Sequence, residues 1–153
     1  MTIEEKLAEM GIELPSPATP LGSYVPVVRT GNLVYVSGQI PVKERRVMAV
    51  GSVPSPCTIE KAAEGAKICA INILAHLKAH LGSLDKISKF VRVTGFVQSQ
   101  SGFYKQPDVI NGASDFLVEV FGEKGKHTRV VVGSYELPLD ASVEIDVIVE
   151  VED

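Results

Sequence analysis

The segment from Val143 to Glu152 alternates between two kinds of residue, and this pattern constrains the fold more than any other feature of the chain. Its odd-numbered positions are all Val or Ile, whereas its even-numbered positions are acidic apart from Ile148. Successive side chains of a strand point to opposite sides of a sheet. One face of this strand must therefore be buried, and we expect other elements to cover that side of a sheet.

Two amphipathic helices are predicted to provide this cover. The first follows Thr58, a good N-cap, and ends at Gly82. The second begins at Pro107 and ends at Gly122. Both repeat apolar residues at helical spacing, and the many alanines of the first helix predict close packing on a flat partner such as a sheet.

Strands are predicted on both sides of these helices, at 24–28, 33–37, near 47–50, and at 87–97, 128–134 and 142–151. The first two form a hairpin whose turn contains Gly31 and Asn32, and the last two are expected to form a second hairpin. This order predicts an α+β fold with a mixed sheet and two helices on one face.

The chain is predicted to form one domain over residues 1–153. Residues 1–20 are an N-terminal extension with a short helix, whose capping box is formed by Thr2 and Glu5. An extended connector with three prolines follows at 14–22.

Charge and hydropathy argue against nucleic-acid binding, membrane insertion and secretion. The net charge is −4 and the pI about 5.4, so binding to nucleic acid or to an anionic membrane would require a local basic patch. No apolar run approaches the 18 residues of a membrane span, and the charged first ten residues do not resemble a secretory leader. We therefore expect a cytoplasmic protein with no nucleic-acid or membrane partner.

Nothing in the sequence predicts a metal or another cofactor. His76 and His80 are four residues apart on the first long helix, but the glutamate of a zinc-protease motif is missing. We expect both histidines to face solvent. Two cysteines are too few for a structural zinc site, and His127 has no evident partner in the sequence.

Arg129 precedes three valines in one predicted strand, and Glu144 lies in the strand that alternates apolar and acidic residues. If these strands pair as an antiparallel hairpin in one register, Arg129, Val131, Glu144 and Asp146 share a face. In the other register Arg129 and Glu144 lie on opposite faces. An exposed hairpin whose charges merely pair with each other is also compatible with the pattern.

At these residues the chain resembles a known family, the reactive intermediate deaminases, also called Rid or YjgF-like proteins and labelled L-PSP endoribonuclease-like. The resemblance extends from about Gly22 to Val151, and its matching segments occur in the family's order. These segments are Gly22–Pro26, Val36–Pro41, Thr128–Gly133, and Leu137-Pro138 followed by Val143–Asp146.

The resemblance implies a chorismate-mutase-like fold and a homotrimer with ligand clefts between subunits. It also implies hydrolytic deamination of reactive 2-enamines and 2-imines to 2-oxo acids. Arg129 matches the arginine that holds the substrate carboxylate, and Glu144 matches the glutamate that positions water. Tyr24 and Val131 match pocket positions, and Asn111 lies near the family's pocket asparagine.

The chemistry of these residue types agrees with that activity. Arginine offers a planar, bidentate anchor for a carboxylate, and a carboxylate can orient a water or accept its proton. Trimer formation would cover the second face of the sheet, for which Val130, Val132, Val143, Ile145 and the strand near Val91 to Val97 offer apolar side chains. The sequence also departs from the family, because many members carry cysteine at the position of Val131 and are shorter at the N-terminus and between Gln98 and Lys126.

An alternative is a non-catalytic trimer that binds a small carboxylate metabolite through Arg129. Ribonuclease activity, which the family label suggests, is disfavoured by the acidic pI and by the absence of a basic stripe with aromatic residues.

Overall fold

A computed structural model describes residues 1–17, 19–20 and 22–153. Its helices are α1 (Ile3–Glu9), α2 (Ile59–Leu81) and α3 (Gln106–Phe121), and its strands are β1 (Val27–Thr30), β2 (Leu33–Gln39), β3 (Val42–Lys43), β4 (Arg46–Val47), β5 (Ile87–Gln98), β6 (Thr128–Ser134) and β7 (Val143–Val151). Short 3₁₀ turns follow α2 and α3 and precede β7. The predicted connector at 14–22 includes Ala18 and Leu21, which lie outside the described residues. None of the described helices has the length and apolarity needed to span a membrane.

Five strands form one mixed sheet in the order β1-β2-β7-β5-β6. The predicted first hairpin is confirmed, because β1 pairs antiparallel with β2 across the turn at Gly31 and Asn32. The predicted strand at 47–50 is only partly present, because β4 pairs with β3 in a separate two-stranded sheet.

The predicted second hairpin is wrong. β7 does not pair with β6 but lies between β2 and β5, antiparallel to both, whereas β6 is an edge strand parallel to β5. The chain reaches β6 from β5 through α3, which is the crossover connection that parallel strands require. The prediction failed because short, adjacent strands favour hairpins locally, whereas the final pairing depends on where α3 packs.

Both long helices cover the same face of the sheet, as predicted. The Cα of Gly65 in α2 approaches Val143, and the Cα of Gly95 in β5 approaches Ile110 of α3. The odd-numbered side chains of β7 are buried on this face, which confirms that the alternation sets the inside of the sheet. Val143 and Ile145 are therefore core residues, and the expectation that they contribute to the uncovered face is wrong.

The N-terminal helix is present with its predicted cap. Thr2 Oγ accepts from the Glu5 backbone N–H, and the Glu5 carboxylate accepts from the Thr2 N–H. Glu4 attaches α1 to the end of α2 by accepting from the Leu84 N–H at 2.6 Å and from Lys78 Nζ at 3.3 Å. Burial raises the pKa of Glu4, but these two bonds outweigh that effect and lower it. The bonds make α1 part of the folded unit.

Candidate functional site

Arg129 lies at the start of β6, where α3 packs over the edge of the sheet. Its Nη1 atom donates to Asn111 Oδ1 at 2.8 Å and to Ser114 Oγ at 3.1 Å. Asn111 and Ser114 are three residues apart and therefore lie on the same face of α3. The two hydrogens of Nη1 are thus both used, and the position of the guanidinium is fixed from the helix side.

This arrangement determines which edge of the guanidinium can bind a ligand. A guanidinium has five N–H donors in a rigid fork. Within the described part of the chain, Arg129 donates only through Nη1. The edge formed by Nε and Nη2 therefore retains two parallel donors, which is the geometry that binds a carboxylate or a phosphate in bidentate fashion.

Asn111 has a second polar group that faces away from Arg129. Because a guanidinium can only donate, the amide oxygen of Asn111 must be the atom that faces it. The Asn111 amide nitrogen then carries two N–H donors that Arg129 does not use. Val131, two residues beyond Arg129 on β6, is partly buried against the core on the same side of the strand.

Glu144 lies elsewhere in the molecule, on the face of the sheet that the helices do not cover. In the register of the sheet, Glu144 is opposite Phe96 of β5, and Phe96 is opposite Val132 of β6. Arg129 is opposite Val93, which is buried under the helices. Because paired residues point to the same face, Arg129 and Glu144 lie on opposite faces of the sheet. The sequence left open whether the two residues share a face, and the structure shows that within one chain they do not.

The surroundings of Glu144 favour its protonated form. Burial raises the pKa of the Glu144 carboxyl above its ordinary value, and the nearby charge of Asp146 raises it further. Burial also raises the pKa of Asp146, although a hydrogen bond from Thr94 and the charge of Arg92 oppose this effect. Two carboxyls of raised pKa on one strand face form a group that can exchange protons.

A shallow groove runs beside this pair of carboxyls. It is lined by one edge of β1, by β2 and β7, and by the segment before β1, namely Val25, Val28, Tyr35, Val36, Ser37, Gly38, Asp146, Val147 and Ile148. Ser37 connects that segment to β2, since its Oγ donates to the Val25 carbonyl at 2.8 Å and its N–H donates to the Pro26 carbonyl at 2.9 Å. Tyr24 precedes Val25 in the loop before β1, with 58% of its surface exposed. It therefore lies in a loop and not in the predicted strand at 24–28.

Two histidine predictions need correction. His76 does not face solvent, because it is only 5% exposed in α2, and burial lowers its pKa. His80, one turn further along the same face of α2, is exposed as predicted. His127 does have partners: its Nδ1 lies 2.6 Å from the Gly125 carbonyl oxygen, and its Nε2 lies 2.9 Å from Ser114 Oγ.

Sequence reasoning missed Ser114 and Gly38 as parts of these clusters. Ser114 could have been found from its spacing of three residues from Asn111 on a predicted helix. Gly38 lies within a quoted motif, but its contact with Glu144 depends on the pairing of β2 with β7. That pairing was not predicted, so no local signal pointed to this role.

Comparisons with known proteins match the chain to a family. Residues 4–151 match the family described as "YjgF/chorismate mutase-like, putative endoribonuclease". The chain is 37% identical to "Protein TCP17" of Trypanosoma cruzi over 97% of this chain and 93% of the relative. It is 32% identical to a "2-iminobutanoate/2-iminopropanoate deaminase" of Dermatophagoides farinae, over 92% of this chain and 95% of that protein.

A solved structure agrees with this match over nearly the whole chain. The crystal structure of protein Atu1372 from Agrobacterium tumefaciens, described as having unknown function, superposes with a TM-score of 0.92. It is 45% identical and covers 98% of this chain and 92% of its own.

Proposed function

Because this chain belongs to the YjgF/chorismate mutase-like family, we propose that it hydrolyses reactive 2-imino and 2-enamino acids to 2-oxo acids. The observation that carries the proposal is the fixed guanidinium of Arg129, which keeps its Nε/Nη2 edge for a carboxylate. The name of the 32% identical relative, a 2-iminobutanoate/2-iminopropanoate deaminase, supports the same substrate class.

The proposed reaction consumes one water and releases ammonia. A water oxygen adds to C2 of the protonated imine while one of the water protons passes to Glu144, which gives a neutral carbinolamine. Glu144 returns this proton to the carbinolamine nitrogen. The C2–N bond then breaks with its electron pair going to nitrogen, ammonia leaves, and the proton of the C2 hydroxyl passes to the Glu144 carboxylate as the carbonyl of the 2-oxo acid forms. No atom changes oxidation state, so the residues need only bind, orient and transfer protons.

We place the reacting centre between two copies of the chain. Arg129, Asn111 and Val131 would come from one copy, and Glu144 and Tyr24 from the next. The register supports this arrangement, since the sheet separates Arg129 from Glu144 within one chain. The homotrimer implied by the family resemblance would bring the two clusters together in clefts between subunits.

The exposed residues of the uncovered face support association of copies. This face carries several partly exposed apolar side chains in addition to its carboxyls, namely Val28, Tyr35, Val130 and Val132. Exposed apolar side chains on one face of a folded protein commonly mark an interface.

A carboxylate-binding protein without catalysis is the second candidate. The specific observation that favours it is that the anchor of Arg129 with Asn111 and Ser114 is complete within one chain, whereas Glu144 is not beside it. Such a protein would need Arg129 but not Glu144.

The first experiment separates the two candidates. Loss of 2-iminobutanoate, generated in situ, is followed against its spontaneous hydrolysis, and binding of 2-oxobutanoate is measured by calorimetry. Arg129→Ala should abolish both binding and turnover, and Arg129→Lys should recover part of each because it lacks the bidentate fork. Glu144→Gln should retain binding and reduce turnover by about 10²–10⁴-fold.

Arg29→Ala serves as the matched control. Arg29 lies in β1, at the opposite edge of the sheet from β6, and pairs with Asp153. This substitution should leave both binding and turnover unchanged. Wild-type protein that binds 2-oxobutanoate but does not accelerate imine loss would establish the binder. Equal turnover in wild type and Arg129→Ala would refute the assignment of Arg129 to the active site.

A mixing experiment tests the shared site directly. The variants Arg129→Ala and Glu144→Gln are co-expressed with different tags, and the mixed assemblies are purified through both tags. If each site of a trimer takes Arg129 from one copy and Glu144 from its neighbour, about one third of the sites in the purified mixed trimers have both native residues. If both residues came from one chain, mixing would restore no activity.

A further inference from the structure

A second polar cluster lies directly behind the carboxylate anchor and is not used by the proposed reaction. Ser114 Oγ lies between Arg129 Nη1, at 3.1 Å, and His127 Nε2, at 2.9 Å. His127 Nδ1 in turn lies 2.6 Å from the backbone carbonyl oxygen of Gly125. The four groups form an unbroken chain of hydrogen bonds from the backbone to the guanidinium.

The direction of each bond in this chain can be derived. The Gly125 carbonyl oxygen can only accept, so Nδ1 of His127 must carry the hydrogen. In the neutral ring Nε2 is then an acceptor, and the Ser114 hydroxyl must donate to it. This orientation directs the oxygen lone pairs of Ser114 towards Arg129, which can only donate.

Each residue in this series of hydrogen bonds lies in, or next to, a regular backbone element. Gly125 is buried at the end of the 3₁₀ turn after α3, and its Cα lies against the backbone of Leu117 and Val118, so no side chain could fit there. Ser114 belongs to α3, and His127 immediately precedes β6. The hydrogen bonds thus connect α3, the turn after it and β6, the strand that carries Arg129.

From this geometry we infer that Ser114 and His127 are positioning residues, which orient Arg129 so that its Nε/Nη2 edge faces the carboxylate of the substrate. The inference rests on the proposed function for the identity of that ligand, but the orientation of the guanidinium is a property of the protein alone. Asn111 holds the other hydrogen of Nη1, so removal of Ser114 leaves the side chain attached at one point about which it can turn.

Nuclear magnetic resonance of the protein without ligand tests the orientation. At a pH where the ring is neutral, the His127 signals should show a hydrogen on Nδ1 and none on Nε2. The Nη1 and Nη2 groups of Arg129 should give separate signals, because the fixed guanidinium rotates slowly. These signals should merge in Ser114→Ala and in His127→Phe, and should stay separate in Ser114→Thr, which retains a hydroxyl.

Binding of 2-oxobutanoate provides the functional readout. Ser114→Ala should weaken binding about tenfold, in line with the loss of a hydrogen bond to a charged group, and should raise KM more than it lowers kcat. The affinity of His127→Gln for 2-oxobutanoate should lie between those of wild type and His127→Phe, because the glutamine side-chain oxygen can accept from Ser114. In an Arg129→Ala background, Ser114→Ala should have no further effect.

Matched controls are Ser101→Ala and His80→Gln, because both residues are exposed and neither takes part in the hydrogen bonds of this cluster. Thermal unfolding of each variant distinguishes a local change from loss of the fold. Separate Arg129 signals in folded Ser114→Ala, or a hydrogen on Nε2 of His127, would overturn the inference whether or not the protein binds 2-oxobutanoate. Altered signals together with no ligand binding in the wild type would instead refute the proposed function and leave the positioning role intact.

Discussion

The backbone of Gly38 lies directly against the side chain of Glu144. A Cβ atom built on Gly38 would be 2.7 Å from Glu144 Oε2 and 3.2 Å from its Cδ. The pairing of β2 with β7 creates this approach, because the register shifts between Val36 and Gln39 and brings Gly38 beside Glu144. Glycine at position 38 therefore determines where the Glu144 carboxylate can lie.

The first prediction follows from this contact. Gly38→Ala should force the Glu144 carboxylate to rotate away, because the two cannot occupy the same space. Turnover of 2-iminobutanoate should fall by about 10–100-fold, a part of the loss expected when a positioned acid–base group is removed.

The fold should tolerate this substitution, since the displaced atoms are the end of a flexible side chain. Thermal unfolding should therefore change little while turnover falls. Combined with Glu144→Gln, the substitution should cause no additional loss. A full additional loss in the double variant would show that Gly38 acts independently of Glu144.

The second prediction concerns pH. The charge of Asp146 contributes to the raised pKa of Glu144. Asp146→Asn removes that charge and so makes ionisation of Glu144 easier, which lowers its pKa. Glu144 must be ionised to accept a proton from water, so activity should rise with pH through this pKa.

The rising acidic limb of the kcat profile against pH should therefore move to lower pH in Asp146→Asn. The movement should be partial, since burial is the larger cause of the raised pKa and remains in the variant. Asp115→Asn, at an exposed position of α3, provides the control. A limb that moves to higher pH, or not at all, would contradict the assignment of Glu144 as the proton acceptor.

The third prediction concerns the crossing of the two long helices. The Cα of Gly112 in α3 lies against the backbone of Ala63 in α2, and a Cβ there would collide with the Ala63 carbonyl oxygen. Because backbone cannot move aside as a side chain can, Gly112→Ala should lower the free energy of unfolding by about 1–3 kcal/mol or more. Urea unfolding measures this change, and Asp115→Ala on the same helix should leave stability nearly unaltered.

The fourth prediction is the assembly state. Light scattering behind a sizing column should give the mass of three chains at micromolar concentration. Substitution of Val132 by Glu on the uncovered face should dissociate the assembly, because it places a charge in the apolar surface. It should also abolish turnover without unfolding the chain. An active monomer would remove the argument for a site shared between copies.

Local patterns in the sequence were sufficient for much of the fold. The alternation from Val143 to Val151 correctly predicted which side chains are buried, because a strand can only present them alternately to two faces. The caps at Thr2 and Thr58 and the ends of both long helices also follow from short-range hydrogen bonding and spacing. The family was evident as well, since its motifs occur in order along the chain.

The candidate site was only partly predictable. Arg129 and Asn111 were identified from the motif and its neighbourhood, and the structure brings them into contact at 2.8 Å. The contact of Ser114 with His127 depends on the turn after α3, which reverses the chain and places His127 against the helix. Such a turn leaves little trace in residue type beyond its glycines.

The relation between Arg129 and Glu144 was decided by tertiary structure alone. Two strands that are consecutive in sequence can pair directly or can be separated by a third strand in the sheet. The local pattern of apolar and polar residues is the same in both cases. Here β5 lies between β6 and β7, because the α3 crossover makes β6 parallel to β5 and leaves β7 to insert beside β2. The sequence by itself determined which residues carry charge and which face each strand buries, whereas long-range packing determined that the two charged groups lie on opposite sides of the sheet.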